Sequence, residues 1–282
     1  MAVAELSLVR QPRRVALGWA FFERQANLWK RFWAWELVWL LYGLVNTLSI
    51  TFIANEAAKS GAVRAAQQPR LTMFLLIGTL VWAYLSAVLE DMSLTIMWER
   101  WEGTIEHTLM SPVPRVVHLV GMSVFGVLHA FVRTSLVLAC SLPFFHLELA
   151  GADWGAAAAV VVVGSASLVG LGILASILPM LYPERGEQMS FMVQALVLLV
   201  SGVYYSVNVL PGWLQVASFV SPATYLLRGT RDALLDHAGF GAEAGVLGTL
   251  AVFGAVLVPL SLVAFGIAER WAKKTGRLKR QG

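Results

Sequence analysis

Charged residues are scarce in this sequence, and that scarcity limits what kind of protein it can be. Lys, Arg, Asp and Glu together make up 13% of the 282 residues, and hydrophobic residues make up 58%. A soluble globular domain carries about 25% charged residues. The single cysteine, Cys140, excludes an intrachain disulfide framework and a multi-cysteine metal or iron–sulfur site. The composition predicts a polytopic membrane protein.

Motifs of enzyme active sites are also missing. The only Lys-Thr pair, Lys274-Thr275, lacks the preceding glycines of a phosphate-binding loop. No histidine has the H-E-x-x-H spacing of a metalloprotease, and no G-x-S-x-G hydrolase elbow occurs. We therefore predict no catalytic residue, no metal site and no cofactor bound by this chain, and we expect no ATPase activity from it alone. The net charge of +4 indicates anionic lipid rather than nucleic acid as the partner of its basic residues.

Long uncharged stretches predict an all-α membrane protein with six spans. A crossing helix needs about 20 mainly apolar residues. Pro211-Gly212 divides the longest uncharged run, because proline followed by glycine breaks a helix. The predicted spans cover about 34–55, 71–92, 118–143, 156–181, 188–209 and 245–268. We expect residues 1–282 to form a single transmembrane domain.

Basic residues at the two ends of the chain predict its orientation. Six of them precede the first span and six follow the last: Arg10, Arg13, Arg14, Arg24, Lys30, Arg31, Arg270, Lys273, Lys274, Arg277, Lys279 and Arg280. Under the positive-inside rule both termini are cytoplasmic, so the number of spans is even. The apolar piece Trp213–Leu227 is then not a seventh span. We expect this piece to form part of a helical hairpin over residues 212–238, which is re-entrant or lies at the outer surface.

Two cytoplasmic segments have helical periodicity. Residues 13–33 predict an amphipathic helix at the membrane interface, which either anchors the chain or moves during transport. Its apolar face would be Trp19, Phe22, Ala26, Trp29 and Trp33, with Arg24, Asn27 and Arg31 opposite. Residues 98–110 predict a helix between the second and third spans. Its apolar stripe would be Trp98, Trp101, Ile105 and Leu109, and its acidic face Glu99, Glu102 and Glu106. That acidic face either docks on a soluble partner or is simply solvated.

Polar residues inside the predicted spans are candidates for a translocation path. Arg133 and His129 lie one turn apart in the third span, and Asn46 lies in the middle of the first. Intramembrane ionisable residues are often functional. Arg133 could instead extend to the membrane surface or pair with Glu148, and Asn46 could hydrogen bond to another helix.

Two short patterns in this six-span layout resemble the permease subunits of type-2 ATP-binding-cassette exporters. Glu102-Gly103-Thr104-Ile105-Glu106, followed by Ser111-Pro112-Val113, is similar to the family's E-G-T-x-E…P-V stretch. Ser221-Pro222-Ala223-Thr224-Tyr225, followed by Arg228 and Arg231, is similar to its N-P-x-T-Y…R pattern, with Ser221 in place of the commoner Asn.

The resemblance implies a coupling helix, a partner and a function. The coupling residues would be Glu99, Glu102, Gly103, Thr104 and Glu106, and the outer motif would be Ser221, Pro222, Tyr225, Arg228 and Arg231. Two permeases, expected as a homodimer in the inner membrane, would pair above two cytoplasmic ATPases that bind ATP and Mg. They would export a hydrophobic or amphipathic substrate such as a drug or lipid. Export of lipid-linked polysaccharide is the alternative. A channel or secondary transporter is disfavoured because the two halves show no repeat.

Overall fold

The computed structural model describes residues 14–60, 68–144, 151–182 and 184–276, and within these ranges the chain is helical and contains no strand. The all-α prediction is confirmed. The α-helices, in chain order, are α1 (Arg14–Arg31), α2 (Trp33–Lys59), α3 (Gln68–Trp101), α4 (Ile105–Met110), α5 (Arg115–Ser141), α6 (Trp154–Leu181), α7 (Gly186–Ser201), α8 (Gly212–Val220), α9 (Pro222–Leu235) and α10 (Phe240–Lys274).

Five of the described helices are long and apolar enough to cross a membrane. The candidate spans are Trp33–Ala54, Pro69–Trp101, Arg115–Phe144, Trp154–Leu181 and Phe240–Lys274. They correspond to the first, second, third, fourth and sixth predicted spans, and they make the chain a multi-pass membrane protein.

The fifth predicted span, 188–209, is wrong in its extent. Helix α7 has 16 residues and ends at Ser201, and Gly202 follows in the left-handed region with φ of 72°. Side chains of the next two helices satisfy the carbonyl groups that this ending leaves unpaired. Ser218 donates to the Val200 carbonyl at 2.6 Å, and Arg231 donates to the Gly202 carbonyl at 2.9 Å. Contacts distant in sequence therefore end a helix that local hydropathy would continue.

Helix α3 lies at the centre of the bundle. Of its most apolar stretch, 72% is buried, against 17% for α2 and 22% for α10. Leu85 and Val88 of α3 pack with Leu168 of α6 and Leu226 of α9 in the largest core cluster. The outer helices α2 and α10 thus keep apolar faces free for lipid or for another protein.

The two ends of the bundle differ in what they carry. At one end, here called the α4 end, Arg100 donates to the Met180 carbonyl at 2.9 Å and so joins the ends of α3 and α6. At the opposite end, Arg70 at the start of α3 pairs with Asp236 after α9 at 2.6 Å. The hairpin α8–α9 and helix α4 therefore lie at opposite ends.

Helix α1 packs along α5, and its predicted apolar face supplies only part of that contact. The Phe21 ring lies 4.6 Å from the His118 ring, and Gly121 of α5 touches the backbone of Gly18. Trp19, on the predicted apolar face, is 61% exposed, whereas Arg24, on the predicted polar face, pairs with Glu99 of α3. The predicted apolar face is divided between two environments: Phe22 packs on Phe125 of α5, with ring centres 5.7 Å apart, whereas Trp19 is left free for lipid at the membrane interface.

Candidate coupling site at the α4 end

A tight turn separates α3 from α4, so the single helix predicted over 98–110 is wrong. Gly103 has φ of 72°, a conformation that side chains disfavour, and it ends α3. The Gly103 and Thr104 amides donate to the Arg100 and Glu99 carbonyls at 3.1 and 2.9 Å. Helix α4 therefore leaves α3 at a new angle, and its orientation depends on the Glu102–Thr104 turn.

The inner face of α4 is fixed by apolar packing. Ile105 and Leu109 are buried in a cluster with Met180 of α6 and with Phe265 and Ala272 of α10. Trp98 and Trp101 are exposed, although both belong to the predicted apolar stripe. The α4 half of that stripe is buried in the core, whereas Trp98 stacks on Phe32 at the surface, with ring centres 6.2 Å apart.

Two cations hold the carboxyl end of α4. Arg115, at the start of α5, donates to the carbonyls of Thr108 (2.7 Å) and Leu109. Lys273 of α10 donates to the same Leu109 carbonyl at 2.8 Å. Glu269 lies between them, with Oε1 3.0 Å from Arg115 Nε and 2.6 Å from Lys273 Nζ. Cations at a helix C-terminus satisfy its last carbonyls and its dipole, so this set joins α4 to α5 and α10.

Glu99 does not belong to an exposed acidic face, contrary to the sequence interpretation. It is 1% exposed, and its Oε1 lies 2.5 Å from Arg24 Nη1 and 3.6 Å from His118 Nε2. The three residues come from α3, α1 and α5. Glu99 thus fixes α1 against the bundle, and it could reach a soluble partner only through the helices that cover it.

The other predicted coupling residues are accessible or form the turn. Glu102 is exposed and Glu106 is half-buried, while Gly103 and Thr104 make the turn itself. Met110 and His107 extend the exposed surface along α4. Arg115, Glu269 and Lys273 were not predicted as a site, because Arg115 lies 154 residues from Glu269 in the sequence and only the fold brings it to the end of α10.

The predicted path residues of α5 contact neighbouring helices. His129 Nδ1 lies 2.8 Å from Asp91 Oδ2 on α3, and its Nε2 lies 3.1 Å from Glu36 Oε2 on α2. Sequence reasoning missed both carboxylates, because each falls just outside an uncharged run. Three helices therefore meet at one histidine.

Arg133 of α5 and Asn46 of α2 also make contacts within the bundle. The Arg133 guanidinium lies 5.6 Å from the centre of the Trp39 ring and donates to the Trp39 carbonyl at 3.4 Å. Its proposed partner Glu148 lies outside the described residues. Asn46 hydrogen bonds to Tyr204 in the turn after α7. These contacts favour the structural interpretation of both residues.

The outer motif fastens the hairpin to the bundle mainly through Arg231. Its guanidinium donates to the carbonyls of Gly202 (2.9 Å) and Phe74 (3.3 Å) and lies 3.6 Å from the centre of the Phe74 ring. Burial lowers the pKa of Arg231 to about 10, so it remains charged at neutral pH.

The other residues of the outer motif have smaller roles. Pro222 occupies the first turn of α9, but the Ser221 side chain makes no capping hydrogen bond. Tyr225 donates to the Phe219 carbonyl at 3.1 Å. Arg228 is exposed beside Asp232, at 3.5 Å. The motif therefore closes the hairpin and docks it rather than forming a pocket.

Comparison with known proteins agrees with this arrangement. A profile described as ABC-2 type transporter matches residues 17–235. The chain is 22% identical over 248 residues to an inner membrane transport permease, YadH, of Escherichia coli K12, covering 86% of this chain and 94% of that protein. The same identity and coverage hold for the YadH permease of Shigella flexneri. With its family profile, multi-pass helical fold and α3–α4 turn, this chain belongs to the ABC-2 type transporter family, as a membrane-spanning permease subunit.

Proposed function

We propose that this chain is the membrane-spanning subunit of an ATP-driven exporter and that α4 receives the movement of a separate ATPase. Family membership implies an ATPase partner, and the sequence has no phosphate-binding loop of its own. The observation that carries the proposal is the attachment of α4. Glu102, in the turn before α4, is exposed and Glu106 of α4 is half-buried, while the carboxyl end of α4 is bound to α5 and α10 through Arg115, Glu269 and Lys273.

This attachment suits transmission of force. A short helix held only by a flexible loop would move by itself when the ATPase moved, and the long helices would not follow. Here Ile105 and Leu109 are buried against α6 and α10, and the Leu109 carbonyl accepts bonds from α5 and α10. Displacement of α4 therefore shifts three long helices together, which is what switching between inward- and outward-facing states requires.

The proposed membrane layout keeps six crossings, with α7 as the fifth and both termini cytoplasmic in the inner membrane. The side-chain bonds to the Val200 and Gly202 carbonyls support this, because a helix that ends among apolar surroundings needs its terminal groups satisfied. The largely exposed α2 and α10 leave room for a second permease, which we propose is another copy of this chain, with two ATPases bound below.

The proposed substrate is hydrophobic or amphipathic. A cavity of about 270 Å³ lies between α3, α5, α6 and α9, and most of its lining is apolar, including Leu76, Phe131 and Trp154. Its polar groups are few: Tyr84, Thr134, Ser135 and Thr230. Such a surface favours drug- or lipid-like cargo over the polar repeat of a lipid-linked polysaccharide.

The proposal is tested by isolating the chain with its ATPase. We expect Glu102→Lys combined with Glu106→Lys to abolish co-purification of the ATPase, because the charge of the docking surface is reversed. Glu23→Lys, a reversal at an exposed acid of α1, should leave the complex intact. Recovery of equal amounts of ATPase with the double variant and with the control would contradict docking at α4.

A further inference from the structure

The apolar cavity between α3, α5, α6 and α9 opens to the side of the bundle. Its lining from α3 is buried: Leu76 is 2% exposed and Ile77 is 5% exposed. The exposed lining residues belong to α5 and α6, where Phe131 and Trp154 are 49% and 45% exposed. Helices α3 and α9 therefore form the floor of the cavity, and its mouth lies between α5 and α6.

The cavity lies at membrane depth, in the half of the bundle opposite α4. Its lining from α3, α5 and α6 belongs to three of the candidate spans. On α3 the lining runs from Met73 to Tyr84, which is a rise of about 16 Å along the helix. One leaflet supplies half of the hydrocarbon core, about 15 Å. The cavity is thus about as long as the hydrocarbon region of one leaflet is thick.

The two ends of the cavity differ in polarity. At the inner end, the hydroxyl oxygens of Tyr84 and Ser165 lie 2.5 Å apart and join α3 to α6. At the outer end, one turn before Met73, Arg70 pairs with Asp236 at 2.6 Å, and their side chains are 72% and 47% exposed. Arginine binds phosphate and a carboxylate binds ammonium, so this pair suits a zwitterionic headgroup. The cavity therefore has the polarity of a lipid, with its charged end outwards.

The size of the cavity indicates which part of an amphipathic molecule it can hold. Its volume is about 270 Å³. Pockets that bury a whole drug-sized ligand have roughly 300–1,000 Å³, and a cavity of about 150 Å³ already binds benzene. A long space between these two limits suits one unbranched chain better than a compact ring system. A chain that fills it gains the dispersion contacts that an empty cavity lacks.

We propose that this cavity binds one acyl chain of a phospholipid, which enters sideways between α5 and α6 with its chain end towards Tyr84 and its headgroup beside Arg70. The inference deepens the proposed function and rests on it, because it names a phospholipid as the amphipathic substrate and assigns its chain to this cavity. In the proposed membrane layout the end opposite α4 is the outer one, so the lipid belongs to the outer leaflet.

The test is photo-crosslinking of the purified full-length chain in lipid nanodiscs. Two probes are compared: phosphatidylethanolamine with a diazirine at the end of one acyl chain, and phosphatidylethanolamine with a diazirine in its headgroup. We expect the chain-end probe to label α3 near Tyr84 and the headgroup probe to label near Arg70 and Trp154. Because the α3 lining is at most 9% exposed, only a chain inside the cavity can label it. The reverse order of the two labelled positions would overturn the proposal.

Substitutions that fill the mouth from its two walls supply the controlled comparison. Ala158→Trp of α6 and Ser135→Trp of α5 should each reduce labelling of α3 by the chain-end probe about tenfold, since the added ring takes the space of the chain. Val162→Trp is the matched control, because Val162 lies one turn further along α6, is 68% exposed and does not line the cavity. Unchanged labelling in both mouth variants, or labelling of α3 no stronger than that of the exposed Val256 on α10, would overturn the proposal.

Competition tests the shape of the occupant. Lauric acid and 1-adamantanecarboxylic acid carry the same carboxyl group, the first on a straight chain and the second on a compact cage. An excess of lauric acid should suppress labelling of α3 by the chain-end probe, whereas the same excess of the cage acid should leave it unchanged. Equal competition by the two acids would mean a compact, drug-like occupant and would overturn the assignment to an acyl chain.

Failure of this inference is distinguishable from failure of the docking proposal. Glu102→Lys with Glu106→Lys should lose the ATPase and keep native labelling of α3. If that variant still co-purifies with the ATPase while labelling of α3 needs an open mouth, the docking proposal fails and the cavity assignment stands. If the ATPase is lost but neither Ala158→Trp nor Ser135→Trp alters labelling of α3, the cavity assignment fails and docking at α4 stands.

Discussion

At the α4 end, the single side chain of Glu269 pairs with both cations that bind the end of α4. It accepts from Arg115 of α5 and from Lys273 of its own helix, and it is nearly buried. Both cations also bind the Leu109 carbonyl, so Glu269 neutralises the groups that secure α4 without touching α4 itself. Its contribution is indirect: it keeps two basic side chains oriented towards a helix end.

We expect Glu269→Gln to loosen α4 and to lower the stability of the chain. Two partly buried cations would lose their counter-ion, which costs about 1–3 kcal/mol. Thermal unfolding in detergent should show a lower midpoint, and co-purification of the ATPase should fall. Glu23→Gln, at an exposed acid of α1, should match the native chain in both measurements. An unchanged midpoint for Glu269→Gln would contradict this role.

Among the helices, the end of α7 is the element that most depends on its neighbours. Arg231 reaches the carbonyls after α7 by crossing α3 at Gly78. A Cβ atom at position 78 would collide with the Val203 carbonyl oxygen and with the Arg231 guanidinium. Gly78 therefore permits the close approach of α3, α9 and the end of α7.

Gly78→Ala is expected to destabilise the protein although alanine favours helices. The collision with backbone and with Arg231 should outweigh the gain in helix propensity of about 1 kcal/mol. Gly248→Ala, in the exposed part of α10 where nothing lies within 4 Å, should be neutral or stabilising. Thermal midpoints of the two variants make the comparison, and equal midpoints would show that α3 and α7 do not meet as described.

Sequence reasoning succeeded where the cause was local and failed where it was not. The uncharged runs located the five helices that are long and apolar enough to cross a membrane, because hydropathy is a property of the segment itself. The break at Gly103 and the end of α7 at Ser201 depend on backbone conformation and on Ser218 and Arg231, which a window of sequence does not include. The pairing of Arg24 with Glu99 spans 75 residues, and no spacing in the sequence indicates it.

For the whole molecule, the decisive question is whether α7 crosses the membrane. Six crossings place Glu184, before α7, on one side and Gly212, at the start of α8, on the other. Both positions are exposed. The single native cysteine, Cys140, can be removed to give a clean background for labelling.

In a Cys140→Ser background, we expect Gly212→Cys to react with a membrane-impermeant maleimide in intact cells. Glu184→Cys and Thr275→Cys should react only after the cells are permeabilised, because both positions are proposed to be cytoplasmic. Labelling of Glu184→Cys and Gly212→Cys from the same side would mean that α7 does not cross and that the chain has five spans.

The length of α7 has a consequence for the bilayer. Sixteen residues make a helix of about 24 Å, whereas the hydrocarbon core is about 30 Å thick. In the proposed six-span layout, the lipid beside α7 must thin or water must descend towards Gly202, at a cost of a fraction of a kcal/mol for each ångström of mismatch. The hydrophobic barrier would then be lowest along this helix, and a polar headgroup leaving the protein there would cross the shortest distance of hydrocarbon.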